Sequence, residues 1–138
     1  MKQAIVFMRG VRAGILTEDE DGYTFLYDSD YLVSPDAEAI SLTLPLTDKP
    51  YHDKVLFPFF DGLIPEGWLL DIAEKNWKID ARDRMSLLLA CCKDCIGAVG
   101  VEPITNEEEY NVIYFLNFFQ QHVFFLIHYS HSYLLLSC

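Results

Sequence analysis

Cysteine and histidine carry the most specific chemistry available to this chain, and their spacing does not assemble a site. Cys92-Lys93-Asp94-Cys95 is a C-x-x-C pair preceded by Cys91. A structural zinc centre needs four ligands. The other candidates, His52, His122, His128, His131 and Cys138, show no second paired spacing. A thioredoxin-type pair opens a helix after a buried strand, whereas this one follows a helical stretch. The three clustered cysteines are therefore read as small packing residues, with a metal or redox role for Cys91, Cys92 and Cys95 as the weaker alternative. Asp19, Asp21, Asp28 and Asp30 resemble a calcium loop only loosely, because no 12-residue register ending in Glu can be drawn through them. They read as a solvated hairpin loop. Ser, His and Asp occur without a G-x-S-x-G elbow, and no phosphate loop, H-R-D or D-F-G element is present. No catalytic residue, metal or cofactor is expected.

The chemistry that remains is recognition. Phe57 to Trp68 reads FPFFDGLIPEGW. It joins an aromatic cluster (Phe57, Phe59, Phe60) to a sharp turn at Asp61-Gly62 and then to a helix start marked by Pro65, Glu66 and Gly67. Proline suits a first helical turn because its missing N–H had no partner there. Glu66 would meet the positive end of the helix dipole. Leu69, Leu70, Ile72 and Ala73 can pack that helix, while Asp71, Glu74 and Lys75 keep one side polar. Trp68 lies near its start, where a large aromatic can project from the domain, and tryptophan is enriched at binding hot spots. A core corner accounts for the phenylalanines and leaves two readings of Trp68, protruding anchor or buried core residue. Asp61, Pro65, Glu66, Gly67 and Trp68 are the candidate partner-binding residues.

Composition limits the partners. The 138 residues suit one domain with a real core. The formal charge, 10 − 21 = −11, opposes direct binding to a phosphate backbone and is compatible with a basic protein partner or, the commoner meaning of an acidic surface, with solubility alone. The N-terminal MKQAIVFMRG has neither the apolar run nor the cleavage site of a signal peptide. Late, clustered cysteines do not suggest a secreted disulfide framework. The expected location is the cytoplasm.

The elements that must hold these residues follow from the pattern. Ala4–Met8, a turn at Arg9-Gly10 and Val11–Thr17 predict a hairpin. The acidic loop Glu18–Gly22 leads to a third strand in which Tyr23, Phe25 and Tyr27 share a face. Residues 28–39 read as turn and loop. Ser41–Leu46 alternates until Pro45, which makes it an edge strand or an extended loop, and Thr47–Asp53 reads as a polar turn. Helical spacing begins near Lys54 and resumes from Pro65 to about Trp77. Asp80 is the expected N-cap of a further helix whose Met85, Leu88 and Leu89 face the core. Gly97–Val101 closes as a strand stopped by Pro103. The predicted class is α+β: a small antiparallel sheet, made of an N-terminal meander and a returning strand, packed with two or three short helices.

The composition changes at Tyr110, after which no charged residue occurs. Asn117, Gln120, Gln121, His122 and His128 interrupt this stretch and no basic residues flank it, which argues against a membrane anchor. Val112, Phe115, Leu116, Phe119, Val123, Leu126 and Ile127 fit one face of a packing helix. The alternative is an accidental tail, of the kind AT-rich DNA read out of frame would encode. The expected division is a domain over residues 1–104 and an apolar tail over 105–138.

Three blocks in order, SLTLPL (Ser41–Leu46), FFDGLIPEGW (Phe59–Trp68) and DCIGAVGVEP (Asp94–Pro103), together resemble the N-terminal subdomain of HipA-type serine/threonine kinases, the toxins of bacterial toxin–antitoxin modules. The N-terminal hairpin, with Gly14-Ile15-Leu16 in its second strand and Phe25 and Tyr27 in the third, matches as well. The resemblance covers roughly residues 3–103. It departs at Cys92-Lys93, where the family tends to carry Gly-Arg or Gly-Lys. It also departs after Pro103, where no kinase body with an ATP site, catalytic aspartate or metal ligands follows. A free-standing subdomain resembles the HipS antitoxins of tripartite HipBST modules. That resemblance implies an antitoxin binding a HipT-like serine/threonine kinase in trans and blocking it sterically, with a HipB-like DNA-binding protein as third partner and no direct nucleic-acid contact. The alternative it leaves is a non-functional N-terminal remnant of a frameshifted HipA-like kinase gene.

Overall fold

The hairpin forms where its turn allows it. Arg9 (φ 51°) and Gly10 (φ 79°) are both left-handed, the requirement of a two-residue turn matched to strand twist. In this computed structural model, which describes residues 1–64, 66–67, 75, 78–92 and 97–104, the turn joins β1 (Lys2–Met8) to β2 (Val11–Asp19). β3 (Gly22–Tyr27) follows. The acidic loop expected over Glu18–Gly22 contracts to a two-residue turn at Glu20-Asp21. Glu18 and Asp19 stay in register opposite Tyr23 and Gly22, and the Asp19 carboxylate accepts from the Asp21 N–H at 2.9 Å.

A bulge shapes the centre of the sheet. Val6 lies opposite Gly14 but Phe7 opposite Arg12, so Ala13 is the extra residue. Its carbonyl accepts from the Asp28 N–H at 2.9 Å. A Cβ on Gly14 would stand 2.3 Å from the Leu26 carbonyl oxygen, so only glycine fits there.

Residues 28–39, expected to be turn and loop, contain a single helical turn, α1 (Ser29–Leu32). It forms because Tyr31 is buried in parallel contact with Tyr27, ring centroids 6.2 Å apart. The same two tyrosines satisfy the loop that follows. The Tyr31 hydroxyl donates to the Glu38 carbonyl (2.8 Å) and accepts from the Glu38 N–H (3.0 Å). The Tyr27 hydroxyl donates to the Leu44 carbonyl and accepts from the Ile40 N–H. Ser41–Leu46 is consequently not an edge strand: Ser41–Leu44 forms a tight turn closed by a Ser41–Leu44 bridge, and Pro45 and Leu46 continue as irregular loop. The Ser41 hydroxyl accepts from the Thr43 N–H at 3.2 Å, offering the backbone an alternative to a ladder. Leu44 is buried while Leu42 is 100 % exposed. The edge strand lies instead in the stretch read as a polar turn: β4 (Tyr51–Asp53) pairs with β3, with Tyr51 opposite Phe25.

Pro58 begins α2 (Pro58–Asp61), so Asp61 ends a helix and Gly62 caps it, where a sharp turn at Asp61-Gly62 was expected. In α3 (Arg84–Cys91) the cap is Asp83 and not Asp80. Asp83 accepts from the Ser86 N–H three residues on, at 3.1 Å, while Asp80 turns its carboxylate to the Arg82 N–H and guanidinium. β5 (Val99–Pro103) returns antiparallel to β1. The strand order is β4-β3-β2-β1-β5.

One face of this sheet carries Ala4, Val6, Leu16, Tyr23, Phe25, Tyr27, Val99 and Val101, all buried. Against it lie Phe60, Ile64 and the α3 residues Met85, Leu87, Leu88 and Leu89. The Met85, Leu88 and Leu89 stripe is core-facing as its spacing predicts. Each such side chain contributes about 1.5–3 kcal/mol on burial. An open five-stranded antiparallel sheet with short helices is the α+β class expected. Met1–Thr105 forms one compact unit. Among the described residues no helix is long and apolar enough to cross a membrane. The helix expected over 65–77 falls almost wholly, and the tail helix entirely, outside the described residues, as does Cys95.

Candidate partner-binding site

Phenylalanine spacing places the candidate segment. Phe57 and Phe60 are buried and Phe59 is half-buried. Phe60 meets Phe25 edge-on at 5.7 Å and Phe59 at 5.3 Å, an arrangement aromatic rings favour. The aromatic cluster is thus the root of the segment, sunk into the sheet. From it the backbone winds out through 3.0–3.1 Å bonds, Gly62 N–H to the Pro58 carbonyl, Leu63 N–H to Phe60 and Ile64 N–H to Asp61. Ile64 is buried; Glu66 and Gly67 are exposed.

Gly67 has φ +73° and open space where a Cβ would stand. A left-handed residue cannot belong to a right-handed helix, so the helix start expected at Pro65–Gly67 does not run through Gly67. Of the five candidate residues, Asp61, Glu66 and Gly67 are placed. Pro65 and Trp68 lie outside the described residues.

Asp61 makes a contact within the domain that sequence reasoning missed. Arg84, the first residue of α3, donates from Nε to the Asp61 carboxylate at 2.6 Å and from Nη1 to the Ala81 carbonyl at 3.4 Å. The pair is partly shielded from solvent. A second tether lies beside it. The Cys92 thiol, fully buried, donates to the Leu63 carbonyl at 3.3 Å, and the Cys92 carbonyl accepts from the Val101 N–H at 3.2 Å. Cys92 therefore packs at the junction of α3, β5 and the 61–64 segment, in line with the packing role read from its spacing. Among the described residues no three His, Cys, Asp or Glu side chains come together as a metal site. Asp28 pairs with Arg12 at 2.6 Å, which removes it from any cation loop.

A group of linked charges sits elsewhere and is structural. Lys2 lies 2.7 Å from Asp83 and 3.4 Å from Glu18. Tyr23 donates to Glu18 at 2.7 Å, and the Ser86 hydroxyl to Asp83 at 2.8 Å. Burial opposes ionisation of Asp83, but Lys2 and Ser86 outweigh it and hold the carboxyl below its ordinary range. Burial likewise disfavours the Lys2 charge, yet Asp83 and Glu18 carry its pKa above the usual lysine value. Burial first, then the Glu18 carboxylate, push the Tyr23 phenol far up. The group ties the first strand to the cap of α3.

Comparison with known proteins agrees with this architecture. The family described as the HipA N-terminal domain matches residues 4–102. A curated relative from Haemophilus influenzae, described only as an uncharacterized protein, is 37% identical over 97 residues, covering 70% of this chain and 88% of the relative. A solved structure, the N-terminal domain of HipA toxin, superposes with a TM-score of 0.61 at 30% identity and covers 78% of this chain and 96% of its own. On a match that spans the sheet, α2, α3 and the candidate segment alike, the chain belongs to the HipA N-terminal domain family.

Proposed function

We propose that this chain is an antitoxin that binds a HipA-like serine/threonine kinase in trans and blocks it sterically, without catalysis of its own. The observation that carries the reading is the length of the Haemophilus relative. Since 97 residues are 88% of it, that protein is about 110 residues long, the size of one such domain with no room for a kinase body. A subdomain that a full-length kinase holds in cis is on this reading delivered from outside, to a HipT-like kinase lacking it. A HipB-like DNA-binding protein is the third partner, and the site of action is the cytoplasm. The contact surface is the turn after α2, with Pro65, Glu66 and Gly67 framing Trp68 as the anchor and Asp61 supporting the turn from the end of α2.

Residues 103–138 fall outside the family match, which is what a second reading, the remnant of a broken kinase gene, has in its favour. The neighbouring genes separate the two: an intact short kinase supports the antitoxin, and a kinase fragment restorable in frame supports the remnant.

The direct test is co-expression with the adjacent kinase, scored by growth rescue and co-purification, with ATP turnover of the isolated chain measured alongside. Rescue and a stable complex are expected, with no turnover above a denatured control. Trp68→Ala should cost roughly 2 kcal/mol of binding, on the order of a thirtyfold loss of affinity, at a nearly unchanged melting temperature. Absence of rescue by the unmodified chain overturns the proposal. A large drop in melting temperature makes Trp68 a core residue instead.

A further inference from the structure

The geometry points to Arg84 as a positioning residue for the partner-binding turn. It acts through Asp61 and does not touch the partner. This rests on the antitoxin reading above. Among the described residues the 61–64 segment is held by its backbone bonds back to residues 57–61, by the Asp61–Arg84 ion pair at 2.6 Å, by the Cys92 thiol on the Leu63 carbonyl, and by the packed Leu63 and Ile64 side chains. Immediately beyond it Glu66 and Gly67 are exposed, and Gly67 takes a left-handed turn in open space.

Among the described residues nothing stands within 4 Å of where a Gly67 Cβ would lie, and what holds the turn among them is the segment on which it stands. Arg84 is suited to hold that segment because its planar guanidinium bonds in a fixed direction. A second hydrogen bond to the Ala81 carbonyl anchors the guanidinium from behind. Freeing the segment adds conformational freedom that binding must then remove, and that loss lowers affinity with no contact deleted.

The test measures the 138-residue chain against a HipA-type kinase that lacks this domain, by titration and by thermal melting. Arg84→Gln is expected to weaken binding about tenfold, the size of one charge-assisted hydrogen bond, with a small change in melting temperature. Arg12→Gln removes an ion pair of the same 2.6 Å length, to Asp28, and is expected to leave affinity unchanged. The swapped pair Asp61→Arg with Arg84→Asp should recover most of the affinity. Equal losses from Arg84→Gln and Arg12→Gln would show general destabilisation and overturn the inference. So would an Asp61→Asn loss well beyond that of Arg84→Gln that the swapped pair does not repair, because Asp61 would then contact the kinase itself. Unmodified chain that fails to bind overturns the antitoxin reading, and this inference with it. Unmodified chain that binds, with Arg84→Gln binding as well, overturns this inference alone.

Discussion

Asp83 does three things with one carboxylate: it caps α3, accepts from the Ser86 hydroxyl and pairs with Lys2. Its pKa is held low in the folded state, so the stabilisation is present at neutral pH and is lost as pH falls through the depressed value. That of Lys2 is raised, so its share is complete below the ordinary lysine value and is lost as pH rises through the folded one. Both side chains keep more than a third of their surface exposed, 41% and 35%, and solvent screening limits the ion pair to about 1 kcal/mol or less. Asp83→Asn should retain much of the cap and lose the pair. Its melting temperature should therefore fall less than the unmodified protein's between about pH 5 and pH 3, read by thermal melts across that range. Parallel curves would mean that the pair contributes nothing. The residue pattern predicts Asp80 as this cap, and Asp83 takes the place. Only the position of Ser86 above Asp83, and of Lys2 on a strand 81 residues away, decides between them. Arg84 and Asp61 are likewise 23 residues apart, with no local pattern to join them.

At the scale of elements, the meander, the α3 stripe and the returning strand were legible because each is written in a run of consecutive residues. Alternation gave Tyr23, Phe25 and Tyr27 one face, and helical spacing gave Met85, Leu88 and Leu89 another. α1, β4 and the 41–44 turn were not legible, because each is held by side chains from elsewhere. Tyr27 and Tyr31 fix the loop through their hydroxyls, and the three residues of β4 are a strand only because β3 offers a free edge. Gly14 is the sharpest case. Nothing local explains it, yet a methyl group there would meet the Leu26 carbonyl oxygen at 2.3 Å. The neighbour is backbone in the middle of the sheet, so relief requires moving a strand. Gly14→Ala is expected to destabilise by about 1–3 kcal/mol, the range for overpacking a well-filled site, measured by denaturant titration. A change within a few tenths of a kcal/mol would show that β3 shifts freely.

At the scale of the molecule, Met1–Thr105 and Asn106–Cys138 are separate compact units, and the composition changes at Tyr110. Met1–Thr105 is compact, and β5 completes its sheet with Val99 and Val101 buried. A chain ending at Ile104 is therefore expected to keep a cooperative thermal transition and to gain solubility, because apolar residues left uncovered promote association. Calorimetry and sedimentation of the shortened chain check this. An unfolded or aggregated product would assign the tail to the core.

The strand order carries a consequence in time as well as in space. β1 is made first but is flanked on one side by β5, the last strand among the described residues. Between Tyr27, where the meander is complete, and Val99 the ribosome must add 99 − 27 = 72 residues. At roughly 5–20 residues per second that takes about 4–14 s, far longer than a hairpin needs to form at about 1–10 μs. A three-stranded ribbon formed in that interval would offer a row of unpaired N–H and C=O groups along its first strand. Such an edge accepts any extended segment that reaches it. In the finished fold that edge is occupied by residues 99–103, so its protection waits on the part of the sheet made 72 residues after the meander.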